Sequence, residues 1–327
     1  MVKKEKSNFY SGDKVAIVGT GNVGSSAAYA MMLDGIVSEI ALIDKDKEKA
    51  QGHALDLYHG MQFTNSIVIS AGDSFELVKN SKIVILSAGL AQKPGETRLE
   101  LLQKNVSIFK NIIPQIIRYN KDCILLVVTN PLDILTYVTY KLSGFDRCKV
   151  FGTGTVLDTS RLRYLIGEKF KISPKDVTAY ILGEHGDSQF VWWSHANIAG
   201  IPIFDSCYMF KSSIKPEDFF ENIHDKVKNA AYDVIEKKGA TYYAIALVVA
   251  KIVRAILLDQ SRIFSVSSYL YNYRNISDVC LSIPVVMRRS GICEQLDVIL
   301  NDEEDRYFNT CVRKVRESIQ EAEKIIK

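Results

Sequence analysis

The fold is decided by "KVAIVGTGNVGSSAAYAMMLDG", residues 14–35. The segment begins with a short apolar, β-branched run, passes through glycines and continues with helical periodicity, so it predicts a strand, a tight turn and a helix. The next apolar run, "EIALID" at residues 39–44, predicts a second strand that ends in an acid. A strand, a helix and a strand in this order are typical of a parallel βαβ unit.

Three glycines and one acid indicate what this unit binds. The glycines form G-x-G-x-x-G, and the acid follows about 20 residues later, the spacing of a dinucleotide site, although glycine turns also occur without a ligand. The open turn and the helix N-terminus would receive a pyrophosphate. The acid would accept hydrogen bonds from ribose hydroxyls and repel a 2′-phosphate, so NAD is predicted rather than NADP. The predicted cofactor-binding residues here are Gly19, Gly21, Asn22, Val23, Gly24 and Asp44.

Strand-like and helix-like segments alternate through the first half of the chain. Apolar runs recur at residues 66–71, 82–89, 123–130 and 149–154, with amphipathic helix candidates between most of them. This alternation predicts an α/β fold with a Rossmann-type doubly wound parallel sheet, covered on both faces.

The pattern becomes mixed after about residue 155. The predicted elements are a helix at 156–170, a strand at 176–183, a helical region at 225–259, strands at 262–270 and 278–287, and a last helix at 305–327. We therefore expect an N-terminal tail at residues 1–12, a Rossmann NAD-binding domain at 13–155 and a mixed α+β catalytic and substrate domain at 156–327. No Pro- or Ser-rich linker separates the halves, so they should pack closely, with ligands in the crevice between them.

Composition and charge exclude several classes of protein. The 327 residues are 47% apolar and 24% charged, and the net charge of +3 gives no basic surface for nucleic acid. The most apolar long stretch contains Lys251 and Arg254, which favours a buried helix over a membrane span. No apolar run follows the basic N-terminus, so no signal peptide is expected. Six cysteines without a C-x-x-C pair, with Cys123 inside an apolar run, indicate reduced thiols in a cytoplasmic protein, and no metal site is predicted.

Three short segments contain residues that could carry chemistry. In "GTGTVLDTSRLR", Asp158 and Arg161 share a helix face, although a salt bridge on a solvated surface would give the same pattern. In "ILGEHGDS", His185 follows a predicted strand in a glycine-flanked loop, where a histidine is often only a capped loop residue. "KPGETR" puts Arg98 on a turn beside the end of a strand, and most such turns do no chemistry. A nicotinamide cofactor site, a proton carrier, a carboxylate to orient it and two arginines are together what reduction of a 2-oxo acid requires.

The order of the motifs identifies a family resemblance. In chain order, they are "GLAQKPGETRLELLQKN", "VVTNPLDI", "GTGTVLDTSRLR", "LGEHGDS" and "KGATYY". With the glycine pattern, they resemble the L-lactate dehydrogenases, particularly the bacterial ones, in the lactate/malate dehydrogenase superfamily. The resemblance runs from about residue 13 to the C-terminus and implies reversible, NADH-dependent reduction of pyruvate to L-lactate.

The resemblance also implies catalytic roles. His185 would be the general acid in pyruvate reduction and the base in lactate oxidation, since the pKa of histidine lies near the working pH. Asp158 would fix the tautomer of the imidazole, and Arg161 would bind the substrate carboxylate bidentately. Arg98 would polarise the reacting carbonyl from a loop that closes over the substrate, and the Pro-Gly pair before it would serve that movement.

Substrate choice is implied by four further residues. Gln92 stands where relatives that reduce oxaloacetate usually carry arginine, and a neutral amide would leave a second carboxylate unpaired at a cost of roughly 3–5 kcal/mol. Thr241 would keep the pocket small beside the substrate methyl. Asn130 would hold the carbonyl region and border the cofactor, with a plain Asn-Pro turn as the competing interpretation. Ile245 would pack beside the nicotinamide, or serve core packing alone. Pyruvate is the expected substrate, with malate dehydrogenase as the alternative.

Two positions bear on regulation. Many bacterial relatives are activated by fructose 1,6-bisphosphate, bound between subunits by an arginine and a histidine. Arg163 matches the arginine, but Thr178 occupies the position of the histidine and carries no charge, so weak or absent activation is expected. The family is usually tetrameric, and a homotetramer is expected. An NAD-binding protein without turnover is a further alternative, but it would lack one of the four catalytic groups, and all four are present.

Overall fold

The computed structural model describes residues 13–91, 95, 97–210 and 216–327. The elements of the first half are β1 Lys14–Val18, α1 Asn22–Asp34, β2 Glu39–Ile43, α2 Lys47–His59, β3 Val68–Gly72, β4 Ser81–Leu86, α3 Arg98–Tyr119, β5 Ile124–Val127, α4 Leu132–Ser143 and β6 Val150–Gly152. Those of the second half are α5 Val156–Phe170, β7 Val177–Thr178, β8 Ile181–Leu182, β9 Phe190–Val191, β10 Asn197–Ile198, β11 Ile201–Pro202, α6 Ile203–Met209, α7 Pro216–Lys238, α8 Tyr243–Leu257, β12 Arg262–Leu270, β13 Val279–Arg288, β14 Gly291–Gln295 and α9 Asp302–Ile326. Short 3₁₀ turns lie at Met61–Phe63, Phe75–Val78, Arg147–Lys149, Pro174–Asp176 and Trp193–His195.

One large sheet organises the described part of the chain. Its strand order is β14-β13-β12-β6-β5-β4-β1-β2-β3, and the strands from β3 to β6 are parallel. The chain runs outward from β1 to β3 and then returns to β4 on the other side of β1. The carboxyl ends of β1 and β4 therefore border a crevice, as in other doubly wound sheets. The Rossmann-type sheet predicted from the alternating segments is confirmed.

The parallel strands are short apolar runs because helices cover both faces of the sheet. All four residues of β5 are buried, and so are Val15 to Val18 of β1. The first helix begins at Asn22 and ends at Asp34, and Gly35 after it, with φ of +65°, closes the helix in the left-handed region.

The second half continues the large sheet instead of forming a long sheet of its own. β12 pairs antiparallel with β6, with Ser267 opposite Gly152, and β13 and β14 follow as further antiparallel strands. The mixed α+β character of this half is confirmed. Its continuity with the first sheet was not expected, because periodicity marks a strand but does not say which edge that strand joins.

The single strand expected at residues 176–183 was wrong. Thr178 in β7 pairs with Asn197, whereas Ile181 in β8 pairs with Val191 in a different small sheet. Ile181 packs in the smaller of two apolar cores and the next residue, Leu182, packs in the main one, so β8 lies between the two cores. The helical region at 225–259 is likewise two helices, α7 and α8, separated at Gly239 with φ of +82°.

Adjacent tryptophans link the two apolar cores. Trp192 packs against the main core, which surrounds the large sheet, and its Nε1–H donates to the carbonyl oxygen of Ile299 at 3.0 Å. Trp193 packs against the smaller core beside α5 and α7. The described cysteines Cys123, Cys148, Cys280, Cys293 and Cys311 are free thiols. Among the described residues, no helix has both the length and the apolar character needed to cross a membrane.

Candidate active site

The glycine turn follows β1 and packs against the chain that leaves β4. Gly19 has φ of +98°, and a Cβ there would lie 2.4 Å from the backbone nitrogen of Ala88. A Cβ on Gly24 would lie 2.0 Å from the carbonyl oxygen of Gly19. A Cβ on Gly21, in contrast, would meet no described atom within 4 Å. Two glycines therefore allow close packing, and the third borders open space.

The open space lies at the N-terminus of α1. Gly21 is the N-cap, no described side chain caps this end, and the first turn, which begins with Asn22 and Val23, contains no acid. The free N–H groups and the positive end of the helix dipole therefore face the space over Gly21. This arrangement fits the pyrophosphate of a dinucleotide.

Asp44 is held against the glycine turn. Its Oδ2 accepts hydrogen bonds from the backbone N–H and the hydroxyl of Thr20, at 2.7 and 2.9 Å, and its Oδ1 accepts the N–H of Asp46 at 3.2 Å. Burial raises the pKa of the Asp44 carboxyl, but these hydrogen bonds outweigh it and hold the pKa below its usual value. An ionised carboxylate at this place fits ribose hydroxyls and disfavours a 2′-phosphate.

Three polar side chains meet in the second half of the chain. Nδ1 of His185 lies 2.7 Å from Oδ2 of Asp158, and Nη1 of Arg161 lies 2.9 Å from Oδ1 of the same carboxylate. The side chain of Asp158 is 4% exposed, that of Arg161 17% and that of His185 25%. Asp158 and Arg161, three residues apart on α5, thus form a salt bridge with each other. This salt bridge lies inside the protein and not on a solvated surface.

The charges of these groups decide the protonation of the imidazole. Burial lowers the pKa of His185, but the charge and hydrogen bond of the Asp158 carboxylate, together with the charge of Asp133, outweigh it, so the pKa lies above its usual value. Burial raises the pKa of Asp158, and His185 and Arg161 together hold it below its usual value. The imidazole therefore favours its cationic form, with Nδ1 bonded to Asp158 and Nε2 remaining for a substrate.

The loop that carries His185 is fixed by a residue that the sequence did not single out. Gly183, with φ of +90°, exchanges backbone hydrogen bonds of 2.9 and 2.8 Å with Ser282 of β13. The N–H of His185 donates to Oδ2 of Asp133 at 2.7 Å. Asp133 lies in the first turn of α4, inside the quoted motif "VVTNPLDI", and its contact to His185 spans 52 residues of sequence. No local pattern marks such a contact.

Arg98 is the first residue of α3, following the N-cap Thr97. Its Nη1 lies 2.6 Å from Oδ2 of Asp187, two residues beyond the histidine, and its Nη2 donates to the hydroxyl of Tyr232 at 3.4 Å. The side chain of Arg98 is 69% exposed. Its two partners, which the sequence did not indicate, hold it beside the histidine loop but not in a buried site.

A cavity of about 630 Å³ brings most of the predicted catalytic residues together. Its walls include Arg98, Asn130, Asp158, Arg161 and His185. The backbone at Asn130 is fixed by a buried amide that the sequence also left unmarked, because Nδ2 of Asn105 donates to the carbonyl oxygen of Asn130 at 2.8 Å. The same Asn105 exchanges hydrogen bonds with the backbone of Leu90, just before the Arg98 turn.

The remaining predicted residues lie apart from this cavity or outside the described chain. Thr241 lies between α7 and α8, and Ile245 in α8 packs against the main core; neither contributes to the cavity walls within the described chain. Gln92 lies outside the described residues. Arg163 stacks on Tyr180, with its Cζ 4.8 Å from the centroid of the ring.

Arg163, the arginine expected to bind an effector, already contacts residues of its own chain. Nε–H of Arg163 donates to the carbonyl oxygen of Ala179 at 3.0 Å, in addition to the stacking on Tyr180. Thr178 is exposed in β7. The pair therefore offers one arginine that is held by its own chain and one neutral hydroxyl.

Comparisons with known proteins agree over most of the chain. The model of the lactate/malate dehydrogenase NAD binding domain matches residues 13–152, and that of the lactate/malate dehydrogenase alpha/beta C-terminal domain matches residues 155–326. L-lactate dehydrogenase 1 of Clostridium acetobutylicum is 49% identical over 308 residues, covering 94% of this chain and 97% of that protein. L-lactate dehydrogenase of Acetivibrio thermocellus is 51% identical over 310 residues, covering 94% and 96%.

Solved structures show the same likeness. A lactate dehydrogenase enzyme from a Medee basin deep-sea metagenome library superposes with a TM-score of 0.91 at 40% identity, covering 95% of this chain and 99% of the other. The minor L-lactate dehydrogenase of Enterococcus mundtii, in a ligands-bound form, superposes with a TM-score of 0.90 at 39% identity, covering 94% and 98%. The NAD-type glycine turn, the histidine–carboxylate–arginine series and these matches agree: the chain belongs to the lactate/malate dehydrogenase family.

Proposed function

We propose that this protein is an L-lactate dehydrogenase that catalyses the reversible, NADH-dependent reduction of pyruvate to L-lactate. The observation that carries the proposal is the hydrogen-bonded series from Arg161 through Asp158 to His185 on the cavity wall. This series supplies a cation for a substrate carboxylate and a proton for a carbonyl oxygen. The two curated relatives described above are both named L-lactate dehydrogenases, which supports the same activity.

The cofactor would be held mainly by the first half of the chain. The N–H groups at the start of α1 would bind the pyrophosphate over Gly21, and Asp44 would accept hydrogen bonds from ribose hydroxyls. Asn130 and Ile245 are proposed at the nicotinamide end. When bound, NADH supplies the hydride and NAD accepts it in the reverse direction.

The other half of the chemistry is proton transfer and positioning. Arg161 binds the carboxylate of the 2-oxo acid through two parallel hydrogen bonds. His185 gives the proton on Nε2 to the carbonyl oxygen and recovers it in lactate oxidation. Asp158 holds the tautomer and stabilises the cation, and Arg98 stabilises negative charge that develops on the oxygen.

Substrate size and charge favour pyruvate in this proposal. Gln92 is neutral and would leave a second carboxylate unpaired, and Thr241 would restrict the space beside the substrate methyl. Malate dehydrogenase is the second candidate, because the family includes enzymes that act on malate.

The test is the rate of NADH oxidation with pyruvate and with oxaloacetate, each over a full concentration range. A kcat/KM ratio that strongly favours pyruvate supports L-lactate dehydrogenase. A ratio that favours oxaloacetate would keep the histidine chemistry but make the protein a malate dehydrogenase. Gln92→Arg is the companion variant: it should shift preference toward oxaloacetate, and an unchanged ratio would show that another residue selects the substrate.

Domain division, assembly and location complete the proposal. We place the boundary of the NAD-binding domain, 13–155, and the catalytic domain, 156–327, at the start of α5. The predicted tail at 1–12 lies outside the described residues. A homotetramer is supported by apolar side chains on α1, α2 and α8 that expose more than half of their surface, namely Tyr29, Leu33, Leu55, Tyr243 and Leu247. Sedimentation equilibrium tests the assembly.

Free, buried thiols such as Cys123 fit the reducing cytoplasm, which cell fractionation tests.

A further inference from the structure

Two cysteines lie on adjoining segments at one edge of the large sheet. Cys148 is in the 3₁₀ turn Arg147–Lys149 that precedes β6, and Cys293 is in β14, the strand at the end of the sheet. Both are free thiols, and Cys148 is half-buried whereas Cys293 is exposed. Within the described chain, neither contributes to the walls of the cavity that contains His185. The proposed reaction therefore does not use them.

The close approach of β14 to this turn depends on Gly291. This glycine has φ of +105°, and a Cβ there would lie 2.2 Å from the carbonyl oxygen of Cys148. The backbones of the strand and the turn are thus in direct contact, which a side chain at this position would prevent. Cys293 follows two residues further along the strand, about 6.6 Å of extended chain. The fold therefore brings together two thiols from distant parts of the sequence.

Cys293 is also the extra residue of a β-bulge. In the pairing of β13 with β14, Met287 lies opposite Ile292 and Val286 lies opposite Glu294, so no residue of β13 lies opposite Cys293. A bulge bends its strand and leaves the extra residue outside the ladder of hydrogen bonds. A strand at the edge of a sheet is paired on one side only, so it shifts more easily than a central one. This local freedom favours the separation that a disulfide needs, about 4.4–6.8 Å between the Cα atoms.

The two thiols also interact through their charges. Burial raises the pKa of Cys148 most strongly, followed by the hydrogen bond and charge of Asp146 and, more weakly, by the charge of Cys293, against the opposite effect of Arg147. The sulfur atoms are therefore near enough for a thiolate at one position to disfavour a thiolate at the other. Cys148 is the sheltered member of the pair, and Cys293 is the member that a reagent in solution meets first.

We propose that Cys148 and Cys293 are a redox-responsive pair that oxidation joins into an intrachain disulfide, which fastens the edge strand β14 to the turn before β6. The oxidant is hydrogen peroxide. The Cys293 thiol loses its proton and attacks the peroxide, which breaks the O–O bond, forms a sulfenic acid and releases water. The Cys148 sulfur then attacks the Cys293 sulfur, which forms the S–S bond and releases a second water. Two thiols lose two protons and two electrons, and one peroxide becomes two waters.

Three other cysteines of the described chain are unsuited to this reaction. Cys123, Cys280 and Cys311 are buried, and burial raises the pKa of each, to about 12 for Cys123 and about 11 for Cys311. A buried thiol that keeps its proton is a poor nucleophile. A reducing compartment would keep the pair at the sheet edge as two thiols, and the disulfide would form when peroxide exceeds the reductant.

The disulfide would stabilise the fold. In the described sheet, β14 pairs with β13 on one side, and the new bond would tie its other side to the turn that leads into β6. A cross-link between segments far apart in sequence restricts the unfolded chain strongly. We therefore expect the melting temperature of the oxidised wild type to exceed that of the reduced wild type by about 5 °C or more.

Peptide mapping of the wild-type protein after treatment with hydrogen peroxide tests the bond itself. Remaining thiols are blocked with iodoacetamide before the protein is denatured and digested. Trypsin cleaves after lysine and arginine, so residues 148–149 and 290–306 should appear as one linked peptide, lighter by two hydrogen atoms than the sum of the two and separated by dithiothreitol. On a non-reducing denaturing gel, the oxidised protein should run as a single chain. A Cys293 sulfinic acid or a dimer linked through Cys293, with Cys148 still alkylated, would overturn the proposal.

Two matched variants test the contribution of each thiol. Cys148→Ser keeps the exposed thiol and removes its partner, so peroxide should leave a sulfenic acid at Cys293 that dimedone traps in larger amount than in the wild type. Cys293→Ser should leave Cys148 alkylated after the same treatment. Neither variant should gain melting temperature on oxidation. An equal gain in the wild type and in either variant would overturn the proposal, as would a linked peptide without any gain.

These readouts do not depend on turnover. Wild-type protein that fails to reduce pyruvate would reject the proposed function, and the linked peptide and the melting temperature would still decide whether Cys148 and Cys293 form the disulfide.

Discussion

Two arginines border the same cavity in opposite environments. Arg161 lies inside α5, is 17% exposed and donates to a carboxylate that also holds the histidine. Arg98 begins α3, is 69% exposed and donates to an aspartate and a tyrosine on the surface. Both form short contacts, 2.9 Å to Asp158 and 2.6 Å to Asp187, so distance alone does not separate them.

The difference lies in what each contact would cost to break. A buried charge pair that loses one partner leaves an uncompensated charge in low dielectric, whereas an exposed pair exchanges its contact for water at almost no cost. In the proposed function Arg161 would therefore be a fixed binding group, and Arg98 would exchange Asp187 for a substrate oxygen. A preformed carboxylate site and a movable arginine are what a closing active site combines.

The largest effect should come from changing the fixed arginine. Arg161→Lys keeps the charge but loses the planar fork and the bond to Asp158. We expect kcat/KM for pyruvate to fall by roughly two to four orders of magnitude, which corresponds to a loss of about 3–5 kcal/mol of interaction energy. Steady-state kinetics measure it. Arg163→Lys, on the same helix but stacked on Tyr180, is the matched control and should change little. Equal losses would mean that the fork of Arg161 is not the substrate site.

A smaller and more selective effect is expected at the movable arginine. Arg98→Gln removes stabilisation of developing charge, so kcat should fall about 10²- to 10³-fold. The affinity for NADH, measured by fluorescence titration, should stay close to that of the wild type, because the glycine turn and Asp44 are untouched. Parallel losses in turnover and NADH affinity would contradict this role.

The surface partner of that arginine should matter least among the ion pairs. Asp187→Asn breaks an exposed contact worth about 0.2–1 kcal/mol, so kcat/KM for pyruvate should change by about fivefold at most. Assays at low and high salt test this, because salt screens an exposed ion pair and should remove its small effect on kcat/KM. A loss of kcat/KM as large as that of Arg161→Lys would show that the exposed pair of Asp187 and Arg98 matters as much as the buried pair of Asp158 and Arg161. The contrast between the two arginines would then be wrong.

Weak or absent activation by fructose 1,6-bisphosphate is expected. Arg163 is held by Tyr180 and the carbonyl oxygen of Ala179, and Thr178 offers no positive charge for a phosphate. The KM for pyruvate should therefore change little or not at all on addition of micromolar effector. A large fall in KM would show that Arg163 leaves these partners and that a cation from elsewhere completes the site.

The two arginines also differ in how far sequence reasoning reached. The spacing of Asp158 and Arg161 predicts their contact, because residues three apart on a helix share a face. The sequence did not show that this contact is buried, and burial is what distinguishes it from a surface salt bridge. The contact of Arg98 with Tyr232 spans 134 residues and has no local signal. The same distance in sequence separates Asp133 from Ser267, and neither was singled out. Gln92, Thr241 and Ile245 stay predictions.

The sequence by itself determined the βαβ unit, the glycine turn and the acid that follows it, since apolar periodicity and glycine's backbone freedom act within a few residues. It also carried the motifs by which the family is recognised. Only the tertiary structure decided that β12 continues the sheet from β6 and that Asp133 reaches the backbone of His185. Periodicity specifies which face of an element is buried, but the partner of a buried polar group is selected when distant elements pack and every hydrogen bond must be satisfied at once.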